Sequence, residues 1–296
     1  MIAFNFNIHF QDEPSLNDHA DGTKATINVV QSKNQSLFDQ LTIKSDYLPL
    51  SGRNARYGAE KTFEECSNGC TWGVEVQGVI SFVWNRGEHT ITYLQHEMFT
   101  TRLLQFWVLH TILPMLLTLE GSYTILHAGA IEIDDKVVVF SAESFGGKST
   151  LIDFFLKQGH NLLSDDTLGV YKKEGSFMAV TSYPFHRPYR EVESLGYKTM
   201  HVVKSPKPIE AIYLLTKSAC DAEIRVEEVH GVIKYKALHD SNFINYDFLK
   251  EQRFKFFTQM ANEISVFKIT IPWMLERIPA VYSAIINHVN GNKRRS

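Results

Sequence analysis

One stretch constrains this chain more than any other: residues 125–170, ILHAGAIEIDDKVVVFSAESFGGKSTLIDFFLKQGHNLLSDDTLGV. Ile131, Glu132 and Ile133 alternate apolar and polar, and Asp134, Asp135 and Lys136 read as a turn. Residues 137–140 (VVVF) are a continuous β-branched and aromatic run, as in a strand buried on both faces. A small-residue loop over 141–147 leads into Lys148, Ser149 and Thr150. Leu151, Phe154 and Phe155 follow at the i, i+3, i+4 spacing of a helix, and Gly159 stands where that helix would stop. Leu162 and Leu163 open a second strand, which Ser164, Asp165 and Asp166 end.

Such a strand, loop and helix can bind phosphate. In G-x-x-x-x-G-K-[ST], backbone N–H groups cradle the phosphates, the lysine reaches the outer ones, and the hydroxyl sits on Mg²⁺. The helix N-terminus adds its dipole. The match here is A-x-x-x-x-G-K-S, with Ala142 where the first glycine belongs. The cradle would run through Ala142, Glu143, Ser144, Phe145, Gly146, Gly147, Lys148, Ser149 and Thr150. Gly-Lys-[Ser/Thr] alone arises by chance roughly 0.15 times in a chain of this length. The strand before, the helix after and the two carboxylates beyond give the match its weight.

Lys148 is the strongest candidate, because a lysine in a first helical turn opposes the dipole unless an anion sits there. Ser149 is either a Mg²⁺ ligand or an N-terminal cap. Asp165 and Asp166 alternate sides at a strand end, so one can hold metal while the other faces an acceptor hydroxyl. The bland reading of the pair is a solvated turn. His127, before Ala128, Gly129 and Ala130, is either a site residue or a satisfied structural histidine. Residues 183–190 (YPFHRPYR) form an aromatic, cationic loop in which Arg187 or Arg190 could stabilise charge on a transferred phosphoryl group. His186 of that loop is a weaker candidate.

Length and composition set the frame. The chain has 296 residues, enough for one large domain or two. Its net charge of −3 gives no electrostatic reason to expect nucleic acid or an anionic membrane surface. Three cysteines point to free thiols in a reducing, cytoplasmic compartment, and Cys66 and Cys70 lack the partners of a zinc site. The first ten residues lack a basic start and a cleavage site, so no signal peptide is expected. The apolar run over 103–119 reads as too short and too polar to span a bilayer.

Residues 1–122 are expected to be a β-rich domain with a linking helix. Strands fall at 26–30, 73–76, 79–84 and 90–94, a turn at 85–87, and a helix over 96–119 kinked at Pro114. Residues 50–57 read as polar and turn-rich. In 123–296, further strands fall at 177–180, 209–215 and 264–271. Residues 222–229 alternate in a way that would pair with 209–215, 230–260 read as helical, and 274–289 as a closing amphipathic helix.

His127-Ala-Gly-Ala, the variant loop from Ala142 to Ser149, and GHNLLSDD over 159–166 together resemble the HPr kinase/phosphorylase superfamily. The short distance from Lys148 to Asp165 is the most specific feature, and 264–272 (ISVFKITIP) is similar too. The resemblance covers 123–290 well and 1–122 loosely. It implies an α/β protein with a P-loop kinase core on a mixed sheet, and a kinase using ATP and Mg²⁺ to phosphorylate serine on a peptide or small protein. It also implies roles: Lys148 on phosphate, Ser149 and Asp165 on Mg²⁺, Asp166 activating the acceptor, His127 beside the phosphates. Ala142 replaces the usual glycine, and no glutamate- and arginine-rich signature follows the paired aspartates. Those departures point away from HPr and from the reverse phosphorylase reaction, and toward short kinases of peptide maturation such as those that tailor lasso-peptide precursors. The N-terminal domain and loop 183–190 are the expected places for the acceptor. A small-molecule kinase and a non-catalytic nucleotide-binding regulator are the rival readings, and a homo-oligomer is left open.

Overall fold

The computed structural model describes the chain except for His19, Phe63, Glu64, Cys66, Ser67, Asn68, Ser144, Arg190, residues 294–296, and the side chains at 292 and 293. The protein is mixed α/β, with several sheets and few helices. It divides into two compact units: Met1–Tyr123 with Arg190–Leu195, and Thr124–Tyr189 with Gly196–Ser296.

The first unit holds strands β1 (Ile2–Ala3), β2 (Phe6–Phe10), β3 (Thr26–Gln31), β4 (Ile43–Lys44), β5 (Leu48–Leu50), β6 (Arg53–Ala59), β7 (Thr71–Val76), β8 (Ile80–Asn85) and β9 (Thr90–Gln95). Their order is β1-β2-β3-β9-β8-β7-β6-β4, with β5 on β6. Strand β3 runs parallel to both β2 and β9, and the other pairs are antiparallel. The expectation that 50–57 is turn-rich is corrected by β6. Its residues have little intrinsic strand preference, and its pairing supplies the order: Ala55 opposite Val76, Ala59 opposite Trp72.

The linking helix is not simply kinked at Pro114. It runs as α1 (Thr101–Trp107), a π-helical turn (Val108–Ile112) and α2 (Leu113–Leu119). A proline ring clashes with the carbonyl four residues back. The wider turn ahead of Pro114, closed by Leu113 N–H on the Val108 carbonyl, relieves that clash. At 19 residues, Thr101–Leu119 is long and apolar enough to cross a membrane by length and composition, which corrects the opposite expectation; 78% of its most apolar window is nevertheless buried inside the protein. The Arg53 guanidinium donates to both carboxylate oxygens of Glu193 at 2.7 and 2.8 Å, and Trp107 Nε1–H donates to the same carboxylate at 3.1 Å. These bonds seat the 190–195 segment in this unit. Cys70 is disulfide-bonded, which corrects the expectation of free thiols there and removes cysteine usage as an argument for a reducing compartment. Cys66 lies outside the described residues, and Cys220 is free and exposed.

The second unit contains β10 (Thr124–His127), β11 (Gly129–Ile133), β12 (Lys136–Ser141), α3 (Lys148–Lys157), β13 (Leu162–Ser164), β14 (Thr167–Lys173), β15 (Ser176–Val180), β16 (Phe185–His186), β17 (Tyr197–Lys198), β18 (Lys207–Ser218), β19 (Val226–Glu228), α4 (Gly231–Asp240), α5 (Lys250–Glu263), β20 (Ser265–Pro272) and α6 (Ile278–Lys293). The main sheet runs β10-β14-β15-β18-β12-β11-β13, with β20 parallel to β18 and β19 on β20. So β19 pairs with β20 and not with the 209–215 strand as expected. The single helix expected over 230–260 is two, α4 and α5, with a 3₁₀ turn at Asp247–Leu249 between.

Strand β12 shows why this sheet is covered on both faces. Val137 and Val139 enter one apolar cluster with Leu238, Phe257 and Met260 of α4 and α5. Val138 and Phe140 enter the opposite one with Leu151, Ile152 and Phe155 of α3 and Val281 and Ile285 of α6. A strand with apolar residues on both sides needs helices on both sides.

Candidate active site

The candidate site lies at the C-terminal end of β12. The chain leaves Ser141, passes through a loop, and enters α3 at Lys148. Gly147 is the N-cap, in the left-handed region at φ +85, with no side chain capping the helix. First-turn N–H groups have no partner within their own helix, and such a helix start suits an anion. Ala142 takes a negative φ, so the alanine costs the loop nothing; the strained position is Phe145, at φ +61 and largely exposed. A Cβ at Gly146 would come within 2.6 Å of the Ala142 methyl and 2.8 Å of the Glu143 carbonyl oxygen. The methyl at 142 and the carbonyl at 143 together require glycine at 146. Glu143 is exposed, Ser149 and Thr150 are partly buried, and Ser144 lies outside the described residues.

Two strand changes meet beside the loop. The chain steps from β10 to β11 at Ala128, and from β13 to β14 at Asp165 and Asp166. His127 pairs with Thr167 and Ala130 with Ser164, so the two steps are neighbours. Ala128 N–H donates to the Asp166 carbonyl at 3.0 Å, and Ser164 Oγ–H to the Ala128 carbonyl at 3.1 Å.

These steps bring four of the expected residues into one line. Lys148, only 8% exposed, places Nζ 3.0 Å from His127 Nε2. His127 Nδ1 lies 3.1 Å from Asp166 Oδ1. Arg187 donates from its guanidinium to Asp166 Oδ2 at 2.6 Å. The His127 ring stacks on Phe243, centroids 6.3 Å apart, and its backbone N–H donates to the Ser241 carbonyl at 2.6 Å.

Asp165 is 3% exposed and faces a different set. Its Oδ2 accepts from the Arg187 backbone N–H at 2.7 Å, while its Oδ1 is buried without a hydrogen-bond partner. An ionised oxygen buried unpaired is costly unless something binds it. His186 sits between two carboxylates: Nδ1 is 3.4 Å from Asp165 Oδ2, and Nε2 is 3.4 Å from Asp153 Oδ1. Arg190 lies outside the described residues. Tyr183, whose phenol burial pushes well above its usual pKa, lies within electrostatic reach of Arg187 and Asp166.

Mg²⁺ keeps several waters and takes one or two carboxylates plus substrate phosphate, so a dense protein cage is not required. Among the described residues, no group of three or more His, Cys, Asp or Glu could hold a metal by itself. The unpartnered Asp165 Oδ1, with the Ser149 hydroxyl at the helix start, fits the sparse donor set. Ion and phosphates together would complete it.

Sequence reasoning missed Trp273. A Cβ at Gly147 would come within 3.1 Å of its ring, so this indole forms one wall of the glycine loop. The signal was an aromatic directly after Pro272, at the end of a buried strand.

No protein-family model matches the chain, and no curated protein matches it. Among solved structures it is similar to the HPr(Ser) kinase/phosphatase from Coxiella burnetii, with 12% identity, a TM-score of 0.33, and coverage of 57% of this chain and 98% of that one. This is a distant structural relationship, too low to assign a role to any residue.

Proposed function

We propose that the protein is an ATP-dependent kinase that uses Mg²⁺ and transfers the γ-phosphoryl group to a serine hydroxyl of a peptide or small protein. The observation that carries the reading is the line from the Lys148 ammonium through His127 to the Asp166 carboxylate. It joins a helix start suited to anions with a proton acceptor. In this reading the loop N–H groups and Lys148 hold the phosphates. Asp166 takes the serine proton as the new O–P bond forms and the bond from the γ-phosphorus to ADP breaks. Arg187, already on Asp166, offsets charge on the transferred group. Asp165 and Ser149 would hold Mg²⁺, which would neutralise phosphate charge. Serine and a peptide acceptor rest on the sequence resemblance, and the first unit is proposed to help hold that acceptor.

One observation favours a second reading, a nucleotide-binding regulator without transfer. Both Asp166 oxygens are engaged, by His127 and by Arg187, so an acceptor hydroxyl has to share an oxygen that is already paired, and the carboxylate is a weaker proton acceptor for it.

The test is a phosphoryl mass shift on serine-containing peptides with MgATP, against the same peptides with serine replaced by alanine. Asp166→Asn should abolish transfer while ATP still binds. Near-native turnover by Asp166→Asn would remove the base assignment. A native protein that binds ATP and modifies no peptide supports the regulator.

A further inference from the structure

We infer that the apolar cavity beside the glycine loop is the nucleobase subsite, with Trp273 as its stacking surface; this rests on the phosphate-binding reading of the loop. The cavity, of about 180 Å³, shares Gly147 and Thr150 with the loop. Its far wall is the end of β20 and the turn after it: Ile271, Pro272, Trp273, Met274 and Leu275. A ligand held by phosphate on the N–H groups of the loop has this cavity as its neighbour.

The lining selects the class of ligand. Among the described residues, apart from the Thr150 hydroxyl and the Trp273 indole N–H, the side chains around the cavity present carbon and one thioether sulfur. A sugar phosphate would bring several hydroxyls into a wall that cannot pair them. A nucleobase brings a flat ring with apolar faces, which the wall suits. Trp273 is 52% exposed, so the ring is accessible. The Lys217 ammonium lies 3.9 Å over its centroid and covers that face, so a base stacks on the opposite one. The Trp273 backbone N–H donates to the Ser218 carbonyl at 3.2 Å, which ties the turn to the neighbouring strand end and fixes the ring's base. With so few polar side chains, the subsite takes the face of a base and barely reads its edge.

Calorimetric titration with MgATP and with magnesium tripolyphosphate separates base from phosphate binding. Native protein should bind MgATP more tightly than tripolyphosphate. Trp273→Ala should weaken MgATP roughly 10- to 100-fold, the scale of one base–aromatic stack. It should weaken tripolyphosphate far less, and Trp273→Phe should restore most of the difference. Trp273→Ala that binds MgATP like the native protein, or weakens both ligands equally, overturns the subsite. Native protein that binds tripolyphosphate as tightly as MgATP also overturns it, yet leaves the loop as a phosphate site. Native protein that binds neither overturns both. Circular dichroism of the two variants confirms that they fold.

Discussion

Lys148 Nζ lies 3.0 Å from Nε2 of His127, and with the lysine as an ammonium this contact selects the tautomer of a neutral ring. An ammonium only donates, so Nε2 must accept. The ring proton is then on Nδ1 and is given to Asp166 at 3.1 Å. His127 is a neutral spacer that holds a cation and a carboxylate apart by one ring.

His127→Phe keeps the flat ring against Phe243 but loses both polar contacts. It should lower transfer roughly 10- to 100-fold, as losses of an orienting partner do, with a smaller effect on ATP binding. Peptide phosphorylation rates and ATP titrations of the native and His127→Phe proteins read the two effects separately.

The loop should tolerate change at 142 better than at 146. Ala142→Gly removes a methyl from a residue with ordinary φ, and ATP affinity should move little. Gly146→Ala drives a methyl against the Glu143 carbonyl oxygen at 2.8 Å and the Ala142 methyl at 2.6 Å. The backbone must then give way, and ATP affinity should fall at least about tenfold, the effect of losing one or more hydrogen bonds to a charged group. Gly146→Ala in an Ala142→Gly background should recover only part of the loss, because the carbonyl contact remains. Equilibrium dialysis with labelled ATP reads all three.

Away from the site, His288 makes stability depend on pH. Burial holds its pKa below the ordinary value of 6.5; Phe267 packs edge-on at 4.4 Å and the Tyr213 hydroxyl lies 2.8 Å from Nδ1. A depressed histidine pKa means the unfolded chain binds the proton more readily. The stabilisation is complete above about 6.5 and is lost as pH falls through the lower folded value. Urea midpoints should therefore drop between neutral and mildly acid pH, and His288→Leu should flatten that part of the curve relative to native protein.

The parts legible in the sequence are those that local chemistry dictates. Val137 to Phe140 had to be a strand covered on both faces, and Gly146, Gly147 and Lys148 had to open a helix. The expected neighbours Lys148, His127, Asp166 and Arg187 do meet, because two adjacent strand changes bring them together. What stayed hidden depends on partners far along the chain. Strand β6 has weak preferences and exists through β7. Strand β19 chose β20, and the break between α4 and α5 has no glycine or proline to announce it. Trp273 reaches the loop from residues more than a hundred positions away, which no local pattern encodes.

The central claim is that the loop and the Asp165–Asp166 corner form one nucleotide–metal site. Its most direct test is ATP binding with and without Mg²⁺ for native protein, Lys148→Ala and Asp165→Asn. Native affinity should rise with Mg²⁺. Lys148→Ala should bind roughly 10- to 100-fold more weakly, the loss of a charge-assisted contact, and Asp165→Asn should lose the Mg²⁺ dependence. Native-like titrations from both variants would contradict the account.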